Sequence, residues 1–493
     1  MRPYIAVYKD ENKEYSGGFE QLLRQDKTLY KVSSVREDAP VTCFESVFPE
    51  WAYDYVSDGG IAILSGANSH TFSFDAGFVC RAVVEWIDLS FCGQGMTRIC
   101  SNISVFSGQG KGELTLHEFR SIKNNLRPGF YPVFIDKEYG KGHIIYSGVP
   151  MSEILTYEGS TLRDTSQLID FDERISSVDK QKVGAALRNI IMDAMKKAGY
   201  PYLSLWYYPD GVDNIFGYSI DGDGLLTEGV DDLIQVSKET DTKFLFYINK
   251  QLCEDDPDLK QKLKKISENN LIGCHGGVHN AKDSYEENIR DLEVYEEWMN
   301  SLEIDPIKSY ASPRGMYCAN LGKALKDKGY VHSRDFGYAI DDYPYFPMNE
   351  GKQESPLQIP CDGFNVCRWM LKNKDEGLEM PKAEEILNTY KKLIDDKMER
   401  GLPLLFFCHP QYFGLYAKQI YPKMVEYARS KGAVTCDYVS YGDFWIERDG
   451  SKYDADMKDG KLVVKFDQKP SSVRFCINGK ICDPGELEFS IGL

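Results

Sequence analysis

The chain has 493 residues, a formal net charge of −18 and 42% hydrophobic residues. A chain of this length is typical of about two to four domains, and its hydrophobic content suffices for buried cores. The acidity argues against nucleic acid and anionic membrane surfaces as partners, because both bind clusters of Lys and Arg. It leaves neutral substrates such as sugars open.

The N-terminus and the cysteines indicate a cellular compartment. The first residues, MRPYIAVYKDENKEYSGGFE, lack the charged and then apolar pattern of a signal peptide. No apolar run approaches the ~20 residues of a transmembrane helix. The 13 cysteines are scattered without a CxxC pair, which favours reduced thiols over a disulfide framework. We therefore expect a cytoplasmic protein without a membrane partner.

Residues 1–204 alternate strand-like and helix-like runs, which predicts an α/β layer domain of the flavodoxin-like type. The runs GIAILSGA (60–67) and GHIIYSGVP (142–150) are predicted as buried strands, followed by a helix over about 179–198. The segment GKGHIIYSGVP resembles a late strand of glutamine-amidotransferase-like domains. The nucleophilic cysteine of that family has no counterpart here, so we expect an accessory domain.

Residues 205–447 contain short apolar runs separated by helical patterns, which predicts a closed or nearly closed β/α barrel. The clearest helical patterns cover 256–269, 284–302 and 382–400. The seven apolar runs are NIFGYSI (214–220), KFLFYIN (243–249), LIGC (271–274), IKSYAS (307–312), YVHS (330–333), LQIP (357–360) and LLFFC (404–408).

Residues that can carry chemistry stand at or just after the ends of these runs. They are Asp221, His275, Pro313, Asp335 and His409. The carboxyl ends of barrel strands face one shared mouth, where catalytic groups lie. The repeated placement therefore predicts a single functional site.

Residues 448–493 carry the runs LVVKF (462–466), VRFCIN (473–478) and LEFSI (487–491) between Gly and Pro turns. Short strand-like runs punctuated in this way predict a small antiparallel β domain.

The stretch GCHGGVH places His275 and His279 four residues apart, in a chain with seven histidines. Two imidazoles at this spacing can face one cation. The glycines between them do not favour a regular helix, but they allow the backbone at a strand end to bend toward a ligand. For an arbitrary pair of this kind, two polar loop residues are the simpler interpretation.

Paired carboxylates supply further candidates in SIDGDG, where Asp221 and Asp223 follow a predicted strand. One carboxylate can bind a metal while the other takes a proton. The alternative is a common Asp-Gly turn. His409, after the strand LLFFC, can serve as a general acid because imidazole titrates near neutral pH. The segment HSRDFGYAIDDYPYFP (332–347) is rich in aromatic and acidic residues, a combination that suits a sugar ring.

These motifs, in this order, resemble the polysaccharide deacetylase family (carbohydrate esterase family 4). The resemblance implies a distorted seven-stranded β/α barrel. It implies that Asp221 is the catalytic base and that His409 is the general acid. It also implies that Asp223, His275 and His279 bind a divalent metal.

The third motif of the family departs from its usual Arg-x-Pro-x-Gly form, because Ala311 stands at the arginine position in ASPRG. That arginine orients the base, and either Arg314 or Arg334 is a candidate substitute. Pro313, Arg314 and Tyr317 are the expected substrate-binding and oxyanion-stabilising residues. For the carboxylate that supports the acid histidine, the candidates are Asp335, which we favour, Asp341 and Asp342.

The resemblance implies a metal-dependent hydrolase that removes an N-acetyl group from a sugar or polysaccharide. Zinc is the expected metal, although two His and one carboxylate also suit Co²⁺, Ni²⁺, Fe²⁺ or Mn²⁺. One alternative is another C–N hydrolase of this barrel, acting on a small amide or ureide. Another is a catalytically inactive carbohydrate-binding protein. The oligomeric state stays open, with a homo-oligomer as one alternative.

Overall fold

The computed structural model describes residues 2–45, 47–66, 78–106, 132–156, 160–165, 172–176, 178–224, 229–335, 341–349, 352–353, 355–467, 472–482 and 488–490. In these ranges, none of the helices is long and apolar enough to cross a membrane.

A mostly parallel sheet organises the N-terminal region. Its order is β2-β1-β3-β4-β8-β7, and only β7 runs antiparallel to its neighbour. The elements of the region are β1 (Ile5–Tyr8), α1 (Gly18–Asp26), β2 (Tyr30–Ser33), β3 (Val41–Glu45), α2 (Glu50–Ser57), β4 (Ile61–Ser65), β5 (Phe78–Asp88), β6 (Met96–Phe106), β7 (Phe134–Tyr139), β8 (Gly142–Ser147), α3 (Met151–Thr156), β9 (Ser160–Thr165), β10 (Asp172–Ser176) and α4 (Lys180–Lys197).

Both predicted strands of this region lie in that sheet, as β4 and β8, and the predicted helix is α4. β3 and β4 are buried along their whole lengths, as expected for parallel strands covered on both faces. The assignment of residues 1–204 to a separate flavodoxin-like domain, and its likeness to glutamine amidotransferases, stay predictions.

The middle of the chain alternates strands and helices. Its elements are β11 (Leu203–Leu205), β12 (Ile215–Gly222), α5 (Val230–Glu239), β13 (Leu245–Ile248), α6 (Lys250–Cys253), α7 (Leu259–Ser267), β14 (Leu271–Cys274), α8 (Tyr285–Ser301), β15 (Ser309–Ala311), α9 (Ala319–Asp327), β16 (His332–Arg334), β17 (Met348–Asn349), β18 (Lys352–Gln353), β19 (Leu357–Gln358), α10 (Val366–Asp375), α11 (Ala383–Glu399), β20 (Leu404–Cys408), α12 (Pro410–Phe413), α13 (Ala417–Ser430), β21 (Val434–Thr435) and α14 (Tyr438–Gly450).

All seven predicted apolar runs contain strands of one parallel sheet, in the order β19-β16-β15-β14-β13-β12-β20, with β21 paired to β12. The backbone N–H of Asp362, shortly after β19, donates to the carbonyl of Leu405 in β20 at 2.9 Å. This hydrogen bond joins the two ends of the sheet, which therefore curves until it nearly closes. The parallel barrel-like sheet predicted from the sequence is confirmed.

Helices cover the outer face of this curved sheet, and their sequence patterns explain where they begin. α8 begins after Ser284, whose side chain accepts the backbone N–H of Glu287, an N-cap that satisfies one free helical N–H. Leu292, Tyr295 and Met299 of α8 are buried at helical spacing. Buried strands and amphipathic helices together fix the carboxyl ends of the strands at one edge.

The C-terminal region forms two small antiparallel sheets. β22 (Tyr453–Lys458), β23 (Lys461–Phe466) and β26 (Glu488–Ser490) form one of them. β24 (Phe475–Ile477) and β25 (Lys480–Cys482) form a hairpin that pairs with β11. All three predicted runs contain strands, but one of them pairs with a strand at the start of the middle region. The separate small β domain over 448–493 stays a prediction.

Candidate metal centre

One cavity, of about 170 Å³, lies at the carboxyl ends of the parallel strands. Segments that follow β12, β14, β15 and β20 contribute to its walls, together with the start of α10. Parallel strands bring residues distant in sequence to this edge. The lining residues are Asp221, Asp223, His275, His279, Arg314, Gly315, Asn365, Cys367, Arg368, Leu371, Phe407 and His409.

Asp223, His275 and His279 form a set of donor groups that can hold a metal ion. The Nε2 atoms of His275 and His279 lie 3.0 and 3.1 Å from the carboxylate oxygens of Asp223. One donor atom from each residue lies within 4.8 Å of the other two. Ligands bound about 2.1 Å from one tetrahedral ion are separated by roughly 3–3.5 Å, so these spacings suit a shared cation.

The glycines between the two histidines let the loop turn toward the cavity. Gly276 has a φ of 84°, a left-handed conformation that side chains rarely adopt. The carboxylate of Asp291, on α8, accepts the N–H groups of the next two residues at 2.9 and 2.8 Å. A Cβ added to Gly277 would stand 2.9 Å from that carboxylate, so this close approach also requires glycine.

The tautomer of His275 follows from the contact on its other nitrogen. Its Nδ1 lies 2.7 Å from the carbonyl oxygen of Ala311, which can only accept a hydrogen bond. Nδ1 therefore carries the hydrogen, and in the neutral ring Nε2 presents a lone pair. That lone pair faces a carboxylate oxygen of Asp223 at 3.0 Å. Two lone pairs at this distance repel unless a cation, or an added proton, lies between them.

The charges around Asp223 also indicate a cation at this position. Burial alone would raise the pKa of Asp223, but the surrounding imidazoles of His275, His279 and His409 hold it well below its usual range. Burial lowers the pKa of His275, but the carboxylates of Asp223 and Asp221 raise it above its ordinary value overall. The site therefore stabilises positive charge beside Asp223, which protons or a metal ion can supply.

The donor set fits a divalent metal ion. Oδ1 of Asp223 and Nε2 of His279 are buried and lack a hydrogen-bond partner among the described residues. Buried polar atoms are normally paired, so unpaired atoms directed at one point indicate a missing partner. Two imidazoles and a carboxylate suit zinc, and they also suit other first-row divalent ions.

Asn365 sets the opposite tautomer in His409. Oδ1 of Asn365 accepts the N–H of Cys367 at the start of α10, so its Nδ2 faces Nδ1 of His409 at 3.1 Å. An amide NH₂ group can only donate, and in the neutral ring the hydrogen then lies on Nε2. This Nε2 lies 3.2 Å from Asp223. His409 thus presents an N–H donor to the site, where His275 presents a lone pair.

Asp221 is held by Arg334, which donates from Nη2 to Oδ1 of the carboxylate. The guanidinium lies between the rings of Tyr247 and Phe407, 5.2 and 4.8 Å from their centroids. Burial opposes the charge of Arg334, but the carboxylate of Asp221 raises its pKa above the usual value. The ion pair fixes the Asp221 carboxylate at the wall of the cavity.

Arg334 is the arginine that contacts Asp221. Ala311 on β15 and Arg334 on β16 are direct partners in the parallel register. The sequence alone left the choice open between Arg314 and Arg334. The carbonyl of Ala311 meanwhile supports His275.

The support of His409 by Asp335 stays a prediction. The contact to Nδ1 of His409 comes from Asn365, and Asp335 is buried outside the cavity lining. Asp341 pairs with Lys397 and Arg400, and Asp342 accepts a hydrogen bond from Gln25. Linear order could not separate these three carboxylates, because all three follow β16 in the same connecting segment.

Of the three predicted substrate-binding residues, Arg314 lines the cavity, and Pro313 and Tyr317 do not. Arg314 lines the cavity, within a short 3₁₀ turn that also contains the buried Pro313. Tyr317 lies outside the lining and packs against Tyr345. Of the aromatic segment 332–347, residues 336–340 lie outside the described ranges, and Tyr343 stacks on Tyr207 in the core at 3.9 Å. The described aromatic rings of this segment therefore do not form the expected sugar platform.

Sequence reasoning missed two residues, Asn365 and Arg368, which enter the cavity from the start of α10. Asn before an amphipathic run is an N-cap signal, so the helix start could have been predicted. The approach of this cap to His409 could not, because it depends on how the segment after β19 folds back across the sheet.

No protein-family model matches the sequence, and no curated protein matches it. Solved structures give distant likenesses. A Mycobacterium smegmatis protein provisionally named a polysaccharide deacetylase is 13% identical over 49% of this chain and 93% of its own, with a TM-score of 0.43. A chitin deacetylase from Colletotrichum lindemuthianum is 13% identical over 48% and 89%, with a TM-score of 0.34. Puue allantoinase is 14% identical over 49% and 93%, with a TM-score of 0.39. At these values the comparisons do not assign the chain to a family.

Proposed function

We propose that the chain is a metal-dependent hydrolase of non-peptide C–N bonds that removes the acetyl group from an N-acetylated sugar. One observation carries the proposal. The Nδ1–H of His275 is committed to the carbonyl of Ala311, so the Nε2 lone pair faces the carboxylate of Asp223 at 3.0 Å. This arrangement fits a cation between them, beside a second carboxylate and an N–H donor.

Asp223, His275 and His279 would hold the ion. When bound, a divalent metal supplies Lewis acidity, which polarises a carbonyl oxygen and lowers the pKa of a water toward ~7. Zinc is the leading choice for hydrolysis. A set of three protein ligands would match catalytic rather than structural zinc sites, which keep a position open for substrate.

Asp221 would act as the proton carrier. Its carboxylate lines the cavity, and Arg334 holds one oxygen in place, which leaves the other oxygen for a water proton. The proton taken from water is then passed to the departing nitrogen, while the hydroxyl goes to the acyl carbon. One water is consumed, one C–N bond breaks, and acetate and an amine are formed.

His409 would donate a hydrogen bond rather than a net proton. Its contact with Asn365 favours the neutral ring with hydrogen on Nε2, directed into the cavity. A neutral imidazole is a very weak acid, so the general-acid role expected from the resemblance is narrowed to stabilising the departing nitrogen through Nε2–H. A backbone N–H at the Arg314 turn is the proposed donor to the developing oxyanion.

The missing arginine at Ala311 and the two predicted flanking domains are the features that favour the inactive carbohydrate-binding alternative. The contact between Arg334 and Asp221 weakens that alternative, because the carboxylate has a guanidinium partner after all. A binding protein also has no need for unpaired donor atoms that converge on one point.

Acetate release from N-acetylglucosamine and short chitin oligomers tests the proposal. Protein stripped with a chelator should be inactive and should recover with zinc or cobalt. Asp221→Asn should keep the metal and lose turnover, whereas His275→Ala should lose both. Turnover that is unaffected by chelation, or by Asp221→Asn, would contradict the mechanism.

A further inference from the structure

Two arginines, Arg314 and Arg368, line the cavity, and their side chains have no role in the chemistry described above. They come from different elements: Arg314 follows β15, and Arg368 lies in the first turn of α10. Arg314 is exposed and Arg368 is half-buried. Their positions beside the ligand set make them candidates for contacts with a bound substrate.

Within the described residues, the side chains of Arg314 and Arg368 form no ion pair, hydrogen bond or ring contact, whereas the buried Arg334 is paired with Asp221. Two unpaired guanidinium groups at one cavity suit an anion that arrives with the substrate.

The backbone conformation of Arg314 is a second reason to expect that its side chain binds a ligand. Its φ and ψ are 58° and 13°, a left-handed conformation that costs a non-glycine residue of order 1 kcal/mol or more. A turn that only had to present its backbone N–H would be satisfied by glycine without this strain. Arginine at a strained position on the cavity rim therefore points to a use for the side chain.

The cavity also lacks the features that favour a neutral sugar. Among its described lining residues, Phe407 is the one aromatic ring, and Arg334 already lies over it at 4.8 Å. The site therefore offers charge where a neutral sugar would need an open aromatic face. Its charged groups, with a divalent ion counted, sum to a net positive site, which attracts anions even though the whole chain is acidic.

We propose that the substrate of this site carries an oxyanion, a carboxylate or a phosphate ester, close to its N-acyl group, and that Arg314 and Arg368 bind it. The inference rests on the proposed function for the identity of the scissile bond. It concerns substrate class, and its failure would leave metal-dependent hydrolysis intact.

Substrates that differ in the presence of an anionic group test this proposal. Acetate release is compared for N-acetylglucosamine, N-acetylglucosamine 6-phosphate and N-acetylmuramic acid, which carry no anion, a phosphate and a carboxylate. The wild-type kcat/KM for at least one anionic substrate should exceed that for the neutral sugar by about 10-fold or more, in line with 1.4 kcal/mol per decade. The preference should weaken as salt is raised. The better of the two anionic substrates identifies the anion.

Three variants locate the effect. Arg368→Gln and Arg314→Gly should each reduce the ratio of anionic to neutral kcat/KM by about 10-fold, since charged hydrogen bonds contribute roughly 1.5–3 kcal/mol. Glycine at 314 keeps the left-handed turn, so it removes the side chain without moving the backbone. Lys374→Gln removes the same charge from the exposed far end of α10 and should leave the ratio unchanged.

A binding measurement separates this proposal from the proposed function. Calorimetric titration with glucosamine, glucosamine 6-phosphate and muramic acid requires no turnover. Tighter binding of an anionic amine, lost in Arg368→Gln, would support the anion site even if no acetate were released from any substrate. Equal affinity for neutral and anionic compounds, or equal kcat/KM, would overturn it.

Discussion

Two parallel sheets in this chain end in clusters of polar side chains, and the clusters differ in one respect. In the N-terminal sheet, the carboxylate of Glu45, at the end of β3, accepts hydrogen bonds from Ser16 and Ser152 at 2.5–3.0 Å. Ser65, at the end of β4, accepts the N–H of Ser152 at 3.1 Å. In the second sheet, Asp223 faces imidazole nitrogens, and its Oδ1 has no hydrogen-bond partner in the part of the chain that the structure describes.

The contrast distinguishes a cluster whose polar atoms are satisfied from one whose polar atoms are not. Buried polar groups are normally satisfied, and the Glu45 cluster satisfies itself with hydroxyl and backbone donors. The Asp223 cluster is assembled from groups that need an additional partner to be satisfied. Position at the carboxyl end of a strand is shared by both clusters, so position alone does not mark a site.

Neutralising Asp223 and Glu45 in turn should give the largest difference between the two clusters. Asp223→Asn should lose bound metal and reduce acetate release by at least about 100-fold, the upper range for loss of even an outer metal partner. Glu45→Gln should retain metal and turnover, and lower stability by roughly 1–3 kcal/mol through an impaired hydrogen-bond network. Metal analysis and thermal unfolding measure the two effects. Equal loss of metal in both variants would refute the distinction.

Arg334→Lys tests the ion pair between Arg334 and Asp221, beside the proposed metal ligands. Lysine keeps a charge but cannot reproduce the planar guanidinium between Tyr247 and Phe407. We expect kcat to fall by about 10- to 100-fold with metal content unchanged, because Asp221 loses its orientation. An unchanged kcat would remove Arg334 from the mechanism.

Asn365→Asp tests the tautomer of His409. A carboxylate can only accept a hydrogen bond, so Nδ1 would carry the hydrogen and Nε2 of the neutral ring would present a lone pair instead of a donor. We expect kcat to change by about 10-fold, because the Nε2–H donor to the departing nitrogen is lost. Asn365→Ala is the control, since it removes the amide without adding charge. An unchanged kcat in Asn365→Asp would contradict the assigned tautomer.

The smallest change in stability is expected at Asp342, a carboxylate outside the cavity lining. Burial raises its pKa to about 7. The folded chain therefore holds a proton that the unfolded chain releases near pH 4, and stability falls as pH rises from about 4 to 7. Asp342→Asn should raise Tm by a few degrees at pH 8, with the gap closing toward pH 4, and leave acetate release unchanged. A gap that grows on acidification would contradict the sign.

The sequence predicted the barrel-like sheet well, because buried parallel strands are written as continuous apolar runs such as LLFFC before His409. Asp223, His275 and His279 do lie together in the structure, as the order of their motifs led us to expect, and their role as metal ligands stays a prediction. The sequence could not choose between Arg314 and Arg334, because that choice depends on the register between β15 and β16. Asn365 was missed because its contact with His409 is set by the path of a loop.

In the aromatic segment 332–347, the sequence suggested a binding surface that the described residues do not form. Its composition suggested a sugar platform, yet Tyr343 stacks in the core on Tyr207. Composition reports which groups are present but not which way they face, and aromatic residues are more often buried than exposed.

Metal binding by Asp223, His275 and His279 is tested most directly by the metal content of the purified protein, measured by elemental analysis for wild type, His275→Ala and Glu45→Gln after incubation with zinc and dialysis. We expect one divalent ion per chain in wild type and Glu45→Gln, and none in His275→Ala. An equal metal content in wild type and His275→Ala, or no bound metal with zinc, cobalt or nickel in any of the three proteins, would contradict metal binding by these residues.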